Sequence, residues 1–165
     1  MNETIGTGQD RAKVPVLPAV FFLPMSLAVL LQVLTRTAAF PLPESFGGAL
    51  AKWLAGGFLA LLGLAIPIMA IGQFRKFGQS ADVRKATLSI IRTGPYRFTR
   101  NPMYLGLLVF QTGVGLAMGS LWVFAALVPL IPMIRYLAIA PEEAYLEAKF
   151  GDEYRAFKTS VRRWM

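Results

Sequence analysis

Four long apolar stretches, separated by polar connections, dominate the chain. The first runs from Val14 to Thr35, just after Arg11 and Lys13, and the second from about Phe46 to Gln73. Two more, Pro102–Met118 and Leu121–Ala140, are separated only by Gly119 and Ser120. The last of them carries a single charge, Arg135. A helix of about 20 residues crosses roughly 30 Å of hydrocarbon. The pattern predicts an all-α, polytopic membrane protein with about four transmembrane helices, near 14–35, 46–73, 102–118 and 121–140. The last two should form a tight hairpin. The first stretch exceeds a signal-peptide core of roughly 7–15 residues, and no clear cleavage site follows it.

Local signals refine these elements. Pro15 and Pro18 suit first turns, whereas Pro24 and Pro67 fall inside spans and predict kinks. Gly56, Gly57 and Gly63 allow a neighbouring helix to approach closely. Asn101 before Pro102 reads as an N-cap and first helical position. After Ala140 the chain turns polar, and Leu146, Phe150, Tyr154, Phe157 and Val161 recur at helical spacing. That stripe predicts amphipathic C-terminal helices, interrupted at Gly151 with Asp152 capping the second. Residues 1–13 are expected to be a disordered tail, and 14–165 a single membrane domain.

Composition and charge sharpen the function. Apolar residues make up 55% of the chain and charged ones 16%, well under the roughly 25% of soluble domains. The net charge of +8 would raise nucleic acid as a partner for a soluble chain. Beside membrane spans, basic residues set topology and attract anionic headgroups instead, so no nucleic-acid partner is expected. Cys and His are both absent, which excludes disulfides, thiolate chemistry, a Ser-His-Asp triad and the common zinc sites. No metal is expected.

The connection from Phe74 to Asn101 holds Arg75, Lys76, Arg84, Lys85, Arg92, Arg97 and Arg100 against one acid, Asp82. Placing that loop and both termini in the cytoplasm satisfies the positive-inside rule with four spans. The bacterial inner membrane is the expected setting.

Three constellations on that side are candidates for chemistry. The first is Gly94 to Tyr104, a Gly-Pro turn leading to a helix start, where Arg97, Arg100, Tyr96 and Tyr104 could surround an anion. A plain helix start explains it as well. The second is Glu142-Glu143, which reads either as a solvated helix N-terminus or as a carboxylate holding a cation. The third is Arg135, seven residues before Glu142 and so on the same face of a regular helix.

Gly94-Pro95-Tyr96-Arg97, then Arg100-Asn101-Pro102-Met103-Tyr104-Leu105-Gly106, the hairpin, Glu142-Glu143, and Phe150-Gly151-Asp152-Glu153-Tyr154 stand in an order that resembles the isoprenylcysteine carboxyl methyltransferase family. Phospholipid N-methyltransferases are similar in the same region, residues 74–163. The resemblance implies methyl transfer from S-adenosylmethionine to a lipophilic acceptor reached from the bilayer. It implies cofactor contacts from Leu88, Ser89, Ile90, Ile91 and Tyr96, from Arg100, Asn101, Pro102, Met103 and Tyr104, and from Glu142 with Glu143. Glu142 would be the catalytic carboxylate; Arg135, which has no counterpart in the resemblance, is expected from its place in the last span to help place the acceptor.

Two positions depart from the prenylcysteine enzymes. Asn101 stands where they usually carry His, and Ala138 where they carry Arg. Prenylcysteine carboxylates, phospholipid amines, small thiols and other lipophilic acceptors therefore all stay open. The competing readings are a small membrane transporter, a reductase of the sterol-reductase type, and a non-catalytic protein with the same fold. The first lacks ionisable groups deep in the first three spans, and the second needs more spans than this chain has.

Overall fold

The computed structural model describes residues 17–35, 48–80 and 87–164. Among these, all regular structure is helical. The elements are α1 (Leu17–Thr35), α2 (Gly48–Lys76), a 3₁₀ turn (Gly94–Arg97), α3 (Pro102–Met118), α4 (Leu121–Ala125), α5 (Leu127–Ile134), a π turn (Arg135–Ile139), α6 (Ala140–Phe150) and α7 (Asp152–Ser160). The expected tail, the start of the first span and the connection around 36–47 lie outside the described residues. The bounds of α3 agree with its apolar run, and α2 continues three residues beyond Gln73.

Two helices are long and apolar enough to cross a membrane. They are α2 and the rod formed by α4 through α6, Leu121–Phe150, with mean hydropathies of 2.3 and 2.0. Their most apolar stretches are only 17% and 28% buried inside the protein. Leu50, Leu54, Phe58 and Leu61 on α2, and Val128 and Ile131 on α5, point outward. Water would oppose an apolar surface of this extent, whereas hydrocarbon accommodates it. The chain is a membrane protein.

Helices α2 and α3 are held together by glycines. A Cβ on Gly56 would run into Ala117 and Gly113, one on Gly63 into Phe110 and Gly106, and one on Gly113 into Ala60 and Gly56. The pairs Gly56–Gly113 and Gly63–Gly106 fix an antiparallel register with the two backbones nearly touching. In lipid such contact supplies dispersion energy that no hydrophobic drive between helices provides. Gly57, by contrast, faces open space. Gly115 faces Val123 and Phe124 of α4, so its small size serves contact within the molecule.

At the far end of α3, Gly119 takes a left-handed φ of 61°. The Ser120 hydroxyl then accepts from Val123 N at 3.3 Å, starting α4. The same hydroxyl donates to Gln32 of α1 at 2.8 Å, while buried Gln111 donates to Val123 O at 3.0 Å. Phe21 of α1 packs with Tyr104, Leu130, Ile134, Ala138 and Ile139 in one core.

Between α5 and α6 the helix takes in one extra residue: Ala140 N bonds to Arg135 O in an i→i+5 turn. Pro141 follows directly. A proline has no N–H to donate and crowds the carbonyl four residues back, so a widened turn relieves the clash. Two sequence expectations change here. Glu142 does not sit at an open helix N-terminus, because the chain stays helical from Leu127 onward. Nor do Arg135 and Glu142 share a face, since the extra residue rotates one from the other by about a third of a turn.

Candidate functional site

A cavity with an empty volume of about 630 Å³, partly open to solvent, lies where the 87–101 segment, the start of α3 and helices α6 and α7 meet. The floor is a small apolar cluster of Ala70, Ile91 and Tyr96, with Phe74 and Met103 against it. Phe74 and Tyr96 meet edge to face at 5.9 Å.

Each wall has a local cause. Gly94 opens the 3₁₀ turn with a φ of +59°, and a Cβ there would strike Gln73, whose Oε1 accepts from the Thr93 hydroxyl at 2.9 Å. Pro95 then presets the backbone angle, and the turn buries Tyr96 toward the cavity. The 87–89 strand of chain is clamped by Gln79, which is 6% exposed. Its Oε1 accepts from Leu88 N at 2.8 Å and Ser89 N at 3.3 Å, and its Nε2 donates to the Ser89 hydroxyl at 2.8 Å. Helix α7 closes the other side with Tyr154 and Phe157 and is fastened by Arg92. That guanidinium lies 5.7 Å from the Phe157 ring and donates to Glu153 O at 3.0 Å.

Three charged side chains set the electrostatics. Glu142 faces the cavity and accepts from the Tyr104 hydroxyl at 3.2 Å. It lies just beyond the apolar run that ends at Ala140. Burial pushes its carboxyl up to about 7, the Tyr104 hydrogen bond opposing and the neighbouring Glu143 charge adding to the shift. Glu143 is 8% exposed and already paired. Arg163 grips it with two bonds, Nε to Oε1 at 3.1 Å and Nη2 to Oε2 at 2.7 Å. Arg100 is 9% exposed along its side chain, with Nη1 3.4 Å from Glu143 Oε1. Its Nε and Nη1 nonetheless make no hydrogen bond. Burial raises the Tyr96 and Tyr154 phenols well above their ordinary value, so both stay neutral at physiological pH.

Most residues expected from the sequence gather here. Ser89, Ile90, Ile91, Tyr96, Arg100, Asn101, Pro102, Met103, Tyr104, Glu142 and Glu143 line the one cavity. Leu88 does not; its side chain is 67% exposed and only its backbone serves the wall. Arg135 is also outside the lining, exposed, with its guanidinium 5.3 Å from the Tyr136 ring. Arg97 turns away to a second, more open hollow with Phe98, Ile66 and Met69.

Two expected caps are different in detail. Asn101 holds the N-cap position of α3, but its side chain donates to Arg163 O at 3.1 Å instead of capping. The residue before α7 is Gly151, at φ 53°, and Asp152 instead pairs with Arg155 at 2.8 Å.

Sequence reasoning missed Gln79, Thr87 and the C-terminal strap. Thr87 lines the cavity and donates its N–H to the Tyr145 hydroxyl at 3.3 Å. Residues Val161–Trp164 fold back across the start of α3, where Arg162 O accepts from Arg100 N at 3.0 Å and Arg163 O from the Thr99 hydroxyl at 2.9 Å. A basic pair at a chain end ordinarily reads as solvated, so Arg162-Arg163 gave no signal. Gln79 gave none either. Among the described residues, no group of three His, Cys, Asp or Glu could hold a metal ion.

An uncharacterized protein of Haemophilus influenzae is 44% identical over 63 residues, which is 38% of this chain and the whole of that protein. No solved structure matches. The phospholipid methyltransferase family matches residues 51–153, a stretch that takes in most of α2, all of α3 to α6 and the three charged groups lining the cavity, Arg100, Glu142 and Glu143, but not Arg163 on the strap. On that match, which covers well over half its length, the chain belongs to the phospholipid methyltransferase family.

Proposed function

We propose that the cavity binds S-adenosylmethionine and that the protein methylates a lipophilic, membrane-embedded acceptor at the cytoplasmic face of the bilayer. One observation carries this reading. A single cavity offers an available carboxylate, Glu142, and a buried guanidinium, Arg100, with two nitrogens unbonded. A buried donor without a partner costs about 1–3 kcal/mol, more when charged. Such a cost is tolerated where a ligand completes the bonding. S-adenosylmethionine carries a cationic end for Glu142 and a carboxylate for Arg100, and the residues present fit it.

Bound there, the cofactor supplies a methyl group on a sulfonium, open to in-line displacement. The chain's own groups do the rest. Glu142 holds positive charge, steadied by Tyr104, while the faces of Tyr96 and Tyr104 favour a cation. Ile91, Phe74 and Phe157 exclude water. An amine or carboxylate acceptor needs no strong base once aligned, and alignment alone gives effective molarities of roughly 10⁵ M or more. The absence of His and Cys is therefore no obstacle.

The same reading keeps four spans, the last two, near 102–118 and 121–140, as a hairpin about Gly119, with both termini cytoplasmic and the bacterial inner membrane as setting. Family membership, the two long apolar helices and the basic loop support it. Arg135, exposed on the outside of the last span, would meet the acceptor's polar head before it reaches the cavity. No observation favours a transporter or a non-catalytic protein over this reading.

Titration of S-adenosylmethionine into purified protein tests it. Binding in the micromolar range is expected, weakened about tenfold by Tyr104→Ala or Glu142→Gln, which is about 1.4 kcal/mol. A folded wild type that binds none, in detergent and in lipid, would overturn the proposal.

A further inference from the structure

We infer that Arg163, on the C-terminal strap, is a positioning residue that keeps Arg100 available to a ligand carboxylate by occupying Glu143. This rests on the reading of the cavity given above. Arg100 and Arg163 both reach Glu143, and the carboxylate's better bonds, at 3.1 and 2.7 Å, go to Arg163. Arg100 is left with an ion pair at 3.4 Å and without a hydrogen bond on Nε or Nη1. Two guanidiniums sharing one carboxylate leave one positive charge in excess. The strap gives that excess to Arg100, the buried one of the two, which faces the cavity.

Bidentate guanidinium–carboxylate pairs are among the stronger hydrogen-bonded contacts. Without the Arg163 guanidinium, Glu143 would have Arg100 as its one cationic partner at contact distance among the described residues. Arg100 would then turn its free donors to Glu143, and a ligand carboxylate would have to compete with a buried carboxylate. The bonds that Arg163 O accepts from the Thr99 hydroxyl and the Asn101 amide do not depend on the Arg163 side chain, so the strap itself can stay in place.

The test is S-adenosylmethionine affinity in four proteins: wild type, Arg163→Gln, Glu143→Gln and the double variant. Arg163→Gln is expected to weaken binding about tenfold. In the Glu143→Gln background the competitor is gone, so adding Arg163→Gln should change affinity less than about twofold relative to Glu143→Gln alone. A strap that merely closes the cavity predicts the same loss in both backgrounds.

The charge reading is checked with decarboxylated S-adenosylmethionine, which lacks the group Arg100 would hold. Its affinity should change less than twofold across all four proteins. An equal loss on adding Arg163→Gln to Glu143→Gln, with thermal unfolding showing the double variant folded, would overturn the inference, and so would unchanged binding by Arg163→Gln. If the double variant does not fold, an Arg163→Gln loss as large for the decarboxylated compound would overturn it too. A wild type that binds neither compound would sink the cofactor reading itself, which separates the two failures.

Discussion

Glu142 is the residue on which most depends. Its neighbour Glu143 is neutralised by Arg163 and Arg100, whereas Glu142 has one neutral partner, the Tyr104 hydroxyl. With its carboxyl pushed up to about 7, it is mostly protonated and uncharged below neutrality and ionised above it. Only the ionised form attracts a cationic ligand. Cofactor affinity should therefore rise severalfold between about pH 6 and pH 8, and Glu142→Gln should bind weakly with no such slope. A flat profile in the wild type, followed by calorimetry, would show that Glu142 does not face the cation.

The adjacent acids were legible in the sequence as a pair, but not their division of labour. That division is made by Arg163, twenty residues away in sequence and brought back by a strap with no periodicity to announce it.

Among the elements, α2 and α3 form the rigid part. Their glycines meet backbone to backbone, so added volume has nowhere to go. Gly63→Val or Gly113→Val should lower stability by about 1–3 kcal/mol or more, the usual cost of overfilling a close contact. Gly57→Val, facing open space, should stay within about 0.5 kcal/mol. Unfolding in mixed micelles would compare the three, and equal effects would contradict the register.

Helix α3 was fully legible, because Pro102 fixes the backbone angle at its start and Gly119 takes the left-handed turn that ends it. The π turn was not. Periodicity assumes a constant number of residues per turn, so one absorbed residue is invisible and quietly moves Arg135 off the face of Glu142. The Gln79 clamp was equally hidden, since a side-chain amide bonding a chain segment ten residues on leaves no spacing rule.

For the molecule as a whole, chemistry and membrane meet at one end. The outward faces of α2 and α5 are apolar, while the cavity lies beside the basic 87–101 segment and the amphipathic α6 and α7. An acceptor with an acyl or prenyl tail should be methylated with a kcat/KM at least tenfold above that of its water-soluble head group alone. Arg135→Ala should raise the acceptor KM with cofactor affinity unchanged. Methyl transfer in vesicles would decide both, and equal rates for tailed and tailless acceptors would rule out access through the bilayer.

The π turn also makes the last rod tolerant at one place and intolerant elsewhere. A turn that already holds a surplus residue can give it up and become an ordinary helical turn, leaving the flanks in phase. Deleting Leu137, which is exposed, should leave Glu142 in the cavity and cofactor binding within a few fold. Deleting Ala144, one turn into α6, has no such reserve. It should turn everything beyond it by about 100° and carry Leu146 out of the cavity wall, with binding lost while helix content by circular dichroism barely changes. Tolerance of a one-residue deletion in this rod should thus be confined to the five residues from Arg135 to Ile139, where the helix has slack to give.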